Sequence, residues 1–283
     1  MKKAKVVALI LTLLFTTAII SACGKSNSEG NNQTVIQNND ALAEKSKETD
    51  LLTEIKEKGT ILIGTEGTYT PYTYHDETGE LVGFDVEIAK AVAERLGVEA
   101  QFVETNWDSI IAGLDAERFD VVVNQVGITE ERLEKYDFST PYTVTRAALI
   151  VAKDNDTINT FEDLEGKIAA QGLTSNYGKM STEYGAELMS TDGSFSKAIE
   201  LVSTGRADAT INDEVSFYDF LKQQPEAPVK IVATLDEASE NAILIRKGNE
   251  NLVVAINEAL KELEEDGTLE EISKKYFGVN VTK

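Results

Sequence analysis

Ile111-Ala112-Gly113-Leu114-Asp115-Ala116-Glu117-Arg118-Phe119-Asp120-Val121-Val122-Val123-Asn124 can be laid without a gap over residues 199–212. Ile111/Ile199, Arg118/Arg206, Asp120/Asp208 and Asn124/Asn212 are identical pairs. Each stretch reads as a helix, a polar turn and a buried strand that closes on asparagine. Two lobes built on one plan would carry such a repeat. Chance similarity between two αβ units is the alternative reading.

Outward from the repeat, strands and helices alternate. Residues 61–65 form a short apolar strand run, and 85–96 place Val86, Ile88, Ala89, Val92, Ala93 and Leu96 on one helical face. Strands at 98–103 and 120–126 flank a helix at 107–116. An apolar run at 144–151 opens a second alternation: helix 160–164, strand 167–171, helices 176–184 and 195–204, strand 208–212, helix 213–223, and strands 229–233 and 242–246. Helices at 251–265 and 269–277 follow. This α/β pattern predicts a mainly parallel sheet covered by helices on both faces. In open α/β sheets ligands sit beyond the carboxyl ends of the strands. Two such lobes would face each other across a cleft lined by 124–132 on one side, and by 171–176 and 212–213 on the other.

Lys2, Lys3 and Lys5 precede an apolar run at 6–20 that is too short for a comfortable membrane span. The run ends at Ile20-Ser21-Ala22-Cys23, which is similar to the lipobox of bacterial lipoprotein signals. Residues 1–22 are therefore expected to be a signal peptide and Cys23 a lipidated (palmitate-bearing) N-terminus, with an uncleaved anchor helix and an incidental cysteine as the alternative. Residues 23–50 are rich in Asn, Ser, Gly, Gln and Glu, cannot bury enough apolar surface to order, and read as a tether spanning ~25–30 Å. Cys23 is the only cysteine, so an intrachain disulfide is excluded. The formal net charge of −22 repels phosphate backbones and argues against a nucleic-acid partner. With one histidine, His75, and one cysteine, a transition-metal site is not expected, nor is any cofactor. No Gly-x-Ser-x-Gly exists to supply a nucleophile elbow.

A free amino acid needs donors for its carboxylate and an acceptor for its ammonium. Thr129 can cap the helix that follows it, which puts Arg132 in the first turn, where the dipole disfavours it. A bidentate carboxylate would explain the arginine, and an ordinary surface arginine is the alternative. Gln171-Gly172-Leu173-Thr174-Ser175-Asn176 is a strand-to-helix turn able to aim N–H groups at an anion. Asp213 follows a strand end, where it can accept from an ammonium or cap the next helix. Tyr69, Tyr72, Tyr74 and Trp107 are aromatic candidates for a ligand side chain, with core or rim as the alternative.

Glu66-Gly67-Thr68-Tyr69-Thr70-Pro71-Tyr72, Gly83-Phe84-Asp85-Val86-Glu87-Ile88-Ala89, Ile128-Thr129-Glu130-Glu131-Arg132 and Tyr136-Asp137-Phe138-Ser139-Thr140-Pro141-Tyr142 together resemble the polar amino-acid-binding proteins of ABC importers. The resemblance runs from about residue 51 to 283. Asn124-Gln125-Val126, Asn106-Trp107-Asp108 and Lys247-Gly248-Asn249-Glu250 are most similar to the cystine-binding branch. It implies a periplasmic-binding-protein-like fold of two α/β lobes joined by a two-crossover hinge. Residues 51–143 and 240–283 would form the first lobe, and 144–239 the second.

It also implies that Arg132 and Ser175 take the ligand carboxylate, that Asp213 takes the ammonium, and that Tyr69 and Trp107 flank the side chain. Asn124, Asn176, Gly127, Thr129 and Tyr72 complete the candidate set. Two departures stand out: Gly127 replaces a hydroxyl residue, and Asn176 follows Ser175 where others carry a second hydroxyl. The implied partners are an amino acid, cystine favoured, and an ABC permease with its ATPase. The implied place is the extracytoplasmic face of the cell membrane, lipid-anchored, as a monomer. A cyclic-acid dehydratase on the same fold would need a cleft acid, for which Glu66 is the candidate. A sensory ligand-binding module is the third reading.

Overall fold

The computed structural model describes residues 50–282. The signal, Cys23 and all but the last residue of the tether therefore lie outside the described residues. Among those described, one sheet runs through the whole fold. Its strands lie in the order Glu187–Ser190, Ile168–Gln171, Ala209–Asp213, Thr143–Ala152, Val229–Arg246, Val121–Gly127, Thr60–Thr65 and Glu99–Glu104, with Tyr136–Phe138 also paired to Val229–Arg246.

The two ends of this sheet belong to two lobes, and each end is parallel as expected. Thr60–Thr65 runs parallel to Glu99–Glu104 and Val121–Gly127, and Ile168–Gln171 runs parallel to Glu187–Ser190 and Ala209–Asp213. Thr143–Ala152 and Val229–Arg246 depart from the expected parallel sheet, being antiparallel to every strand they meet. The chain crosses to the second lobe on the first of these strands and returns on the other, so their directions must oppose. Val144 pairs with Glu240 and Thr143 with Asn241, which puts the two crossings side by side as a two-strand hinge. The runs read as separate strands at 229–233 and 242–246 are one strand, with register shifts near Ile231/Ala233 and Thr234/Ala238.

The repeat has a structural counterpart in both lobes. Asp120 donates its N–H to Leu62 O and accepts Leu62 N–H on its carboxylate, both at 2.8 Å. Asp208 makes the same two bonds with Ile168, both at 2.8 Å. Glu117 and Gly205, which align, are both left-handed, with φ of 55° and 68°. The N–H groups of Arg118 and Arg206 then close on Gly113 and Leu201 at 2.9 Å. In each lobe the turn ends the helix and the aspartate stitches the next strand to its neighbour.

Strand alternation sends side chains to both faces, and both are covered. In the first lobe Val121 and Val123 join Ile61, Ile63, Phe84, Ile88 and Ile256, while Val122 and Val126 face Ile110, Leu114 and Phe119. In the second, Leu149 and Val151 pack with Phe161 and Ile211, and Ile150 packs with Phe195, Ile199, Val202 and Phe217. Fully burying each such side chain is worth about 1.5–3 kcal/mol. None of the helices among the described residues is long and apolar enough to cross a membrane.

Candidate functional site

A cavity lies between the lobes at the carboxyl ends of their strands. On the first lobe, Thr60–Thr65 delivers Glu66 to its wall, and Val121–Gly127 delivers Asn124. Asn124 is fully buried. Its Oδ1 accepts from Thr65 Oγ1 at 3.0 Å and from Glu66 N at 2.9 Å, and its Nδ2 donates to Glu66 Oε2 at 2.7 Å. Burial pushes the Glu66 carboxyl up to about 7, against hydrogen bonds from Asn124 and the Trp107 backbone. The cleft acid therefore sits in the cavity wall.

The next residue, Gln125, is left-handed (φ 50°) and is held so by Asp85. Asp85 accepts its backbone N–H at 2.7 Å and its side-chain amide at 2.6 Å. Gln125 Oε1 then accepts from Thr143 Oγ1 and Asn241 Nδ2, each at 2.9 Å. One carboxamide thus ties the cavity floor to both crossings. Burial raises the Asp85 carboxyl to about 7. Asp85 and Gln125 lie in two of the motifs that carry the resemblance, but neither was among the candidate site residues. The available signal was an acid flanked by Phe84 and Val86 on the apolar face of its helix.

On the second lobe Asp213 is 3% exposed and heads the helix Glu214–Gln223 without capping it through its side chain. Its carboxylate instead faces the cavity, accepts from Tyr177 Oη, and lies 2.9 Å from Tyr69 Oη of the first lobe. Tyr69 Oη is also 2.7 Å from Asn212 Oδ1. Desolvation raises the Asp213 carboxyl, opposed by the two tyrosine hydroxyls.

Ser175 caps the helix Asn176–Glu183: its Oγ accepts Gly178 N–H at 2.8 Å and donates to Gly172 O at 2.9 Å. Its hydroxyl proton is therefore committed. The donors this turn offers are the backbone N–H groups of the first helical turn and the Asn176 amide. Arg132 N–H caps onto Thr129 Oγ1 at 3.2 Å, and its Nη1 donates to Gly127 O at 2.8 Å. The guanidinium lies over Trp107, 5.5 Å from the ring centroid, with no carboxylate of the described residues within salt-bridge reach. Burial lowers its pKa to about 10, so it stays charged at neutral pH.

Asp213, Ser175, Asn176, Tyr69, Trp107 and Asn124 are thus brought to one cavity. Arg132 and Thr129 line an adjoining groove that shares Ser175 and Asn176 with it. A Cβ on Gly127 would stand 3.5 Å from Asn176 Nδ2 and Asn241 Oδ1, so Gly127 flanks the same corner. Tyr72 lies outside the cavity lining: it is 2% exposed in the core, tilted against Tyr69 and Phe277 and edge-on to Phe84. The sole histidine, His75, sits on the far side of Gly67, 3.3 Å from Glu104. No cluster of metal-ligating side chains occurs among the described residues.

This arrangement has an anion-accepting corner and two buried carboxyls on facing walls. The model of the bacterial extracellular solute-binding proteins, family 3, matches residues 61–279. The chain belongs to this family. Family 3 is extracellular by description, which places the lobes outside the cytoplasm.

One family relative is the L-cystine-binding protein TcyA of Bacillus subtilis, 44% identical over 284 residues and all of both chains. An ancestral arginine-binding protein bound to glutamine superposes with a TM-score of 0.74 at 40% identity, covering 78% of this chain and 98% of that one. The L-cystine solute receptor of Neisseria gonorrhoeae, in its unliganded open conformation, is 45% identical over 83% of this chain and all of that one, with a TM-score of 0.55. The open receptor is thus more similar in sequence and less similar in shape. Here the lobes are closed, as the Tyr69–Asp213 contact requires.

Proposed function

We propose that this chain captures L-cystine between its lobes and delivers it to the permease of an ABC importer, which its ATPase then drives. The protein is held on the extracytoplasmic face of the membrane by a lipid on Cys23, with residues 24–50 as tether, and acts as a monomer. The observation that carries the ligand assignment is the pair of buried carboxyls, Glu66 and Asp213, one on each lobe and both lining one cavity. Cystine bears an ammonium at each end. Asp213 takes the first, sharing it with Tyr69 Oη, and Glu66 takes the second. Arg132 and the backbone and side-chain amides of Asn176 receive a carboxylate, while Trp107 and Tyr69 cover the disulfide. Folded lobes without a thiol do not exchange with a disulfide ligand.

This is binding without chemistry. Closure around the ligand produces the form that the permease recognises. The test is calorimetry on protein stripped of ligand by unfolding and refolding, with L-cystine, arginine, histidine and glutamine as titrants. Cystine should bind tightest and be recovered unchanged by mass spectrometry. Tighter binding of a single-ammonium amino acid refutes the cystine assignment. A converted ligand establishes the dehydratase-type reading that Glu66 invites.

A further inference from the structure

The helix Trp107–Asp115 of the first lobe begins with two residues that enter the second lobe. Trp107 docks against backbone. A Cβ at Gly193 would overlap Trp107 Cβ and lie 3.0 Å from its Cγ, and a Cβ at Gly172 would lie 3.2 Å from its Cδ1. The two glycines come from two different turns of the second lobe and leave a socket with no side chains in it. Trp107 Cβ is fixed to its backbone, so no rotamer change could relieve a side chain at 193. Asp108, the next residue, reaches the same lobe. Its Oδ1 accepts Thr174 N–H at 3.1 Å and Thr174 Oγ1 at 3.0 Å. Thr174 precedes the helix, so its N–H has no helical partner. An acid in the first turn is favoured by its own helix dipole, which keeps Asp108 poised there whether the lobes are apart or together.

These contacts join protein to protein: Asp108 and Thr174 lie outside the cavity of Glu66 and Asp213, on the rim of the adjoining groove that holds Arg132. The other rim contact, Lys179 to Glu131 at 3.6 Å, is an exposed ion pair shared with Lys135 and adds little. Docking also has an opposing term, because it seals the Trp107 indole N–H without an acceptor.

We infer that Trp107 and Asp108, with the Gly172–Gly193 socket and Thr174, form an interlobe latch that sets how long the closed protein retains its ligand. The latch acts on the closed state alone; Trp107 serves both it and the ligand cavity, so the Asp108–Thr174 pair is the part that can be altered without touching the cavity lining. It rests on the amino-acid-binding reading only for its consequence, slow release.

The test is stopped-flow kinetics with L-cystine on the wild type, Asp108→Ala and Thr174→Val, with small-angle scattering on the same ligand-stripped proteins. Asp108→Ala should raise the dissociation rate about tenfold, the size expected for losing hydrogen bonds to a charged acceptor, and leave association within about twofold. Thr174→Val should do the same more weakly, since its N–H remains. Gly193→Ala should abolish compaction on adding ligand. Because Gly193 is left-handed (φ 89°) an alanine there is strained, so the Asp108 and Thr174 variants carry the test if it fails to fold. A wild-type dissociation rate in Asp108→Ala overturns the latch. If the wild type binds no amino acid, the binding reading has failed instead. Scattering then decides the latch: a larger radius of gyration for Asp108→Ala supports it and identical curves refute it.

Discussion

Tyr69 Oη stands 2.9 Å from Asp213 Oδ2, although the residues are 144 apart in sequence and on opposite lobes. The hydroxyl of one wall is the partner that the buried carboxylate of the other holds when the lobes are shut. A ligand ammonium meeting Asp213 joins this bond and completes the carboxylate's coordination. Tyr69→Phe should therefore weaken cystine binding by about 1–2 kcal/mol, and Asp213→Ala by about 2–5 kcal/mol. Calorimetry reads both. Equal affinity of Asp213→Ala and wild type would take Asp213 out of the site.

Arg132 is charged, half-buried and stacked on Trp107, with its fork held at Gly127 O. Arg132→Ala should cost about 2–5 kcal/mol of cystine affinity, because the ligand carboxylate would be enclosed without its counter-charge. Arg132→Lys should recover only part of this, since an ammonium cannot reproduce the contact over the Trp107 ring and the bond to Gly127 O together. Full affinity in Arg132→Lys would reduce the role to charge alone.

Glu66 has a folded-state pKa near 7 against an ordinary 4.5, raised by burial. For a raised carboxyl the folded state holds its proton to higher pH than the unfolded chain. Its stabilising effect is complete below 4.5 and is lost as pH climbs through 7. The loss is about 3 kcal/mol over that window for Glu66, and Asp85 behaves likewise. Denaturant titrations of Glu66→Gln should show a shallower decline between pH 4.5 and 7 than the wild type. A ligand ammonium favours the ionised acid, so cystine binding at pH 7 should release a fraction of a proton. Calorimetry in buffers of different ionisation enthalpy measures it, and Glu66→Gln should remove the part that comes from Glu66, leaving at most what the raised Asp213 carboxyl contributes. Release of unchanged size in Glu66→Gln assigns the proton elsewhere.

Cys23→Ala should leave the lobes folded and move the protein from the membrane fraction to the medium or periplasm. Retention in the membrane fraction would show that something other than a lipid on Cys23 holds it there.

The repeat was legible because a left-handed residue that ends a helix and an aspartate three residues on recur at the same spacing, although the strands that Asp120 and Asp208 clamp lie 58 and 40 residues away. Asn124, Trp107 and Asp213 were legible because strand ends and helix starts point into an interlobe cleft. Tyr69 was singled out over Tyr72 by the resemblance alone, since they share one short motif and only packing puts one ring in front of the other. Ser175 reads as a free hydroxyl in sequence, but its own helix consumes it. The edge strand Glu187–Ser190 escaped notice because its half-exposed Glu-Leu-Met-Ser has no apolar alternation. Asp85 was hidden for the opposite reason: an acid in a helix's first turn needs no further explanation until its burial is seen.

The side-by-side crossings carry a consequence for assembly. The second lobe is one continuous stretch of chain, whereas the first contains Val121–Gly127 and the later half of Val229–Arg246 as adjacent strands, with Ile245, Leu252 and Ile256 completing its core. A ribosome makes the amino end first, so the second lobe can collect its native contacts while the first still lacks a strand and a covering helix. Its hydrophobic face stays uncovered through that interval, and non-local pairing of this kind is slow. Removing the last two helices would thus take Leu252, Ile256, Leu260, Leu263, Leu269 and Ile272 out of one face of the first lobe's core and leave the second with every contact it makes to itself.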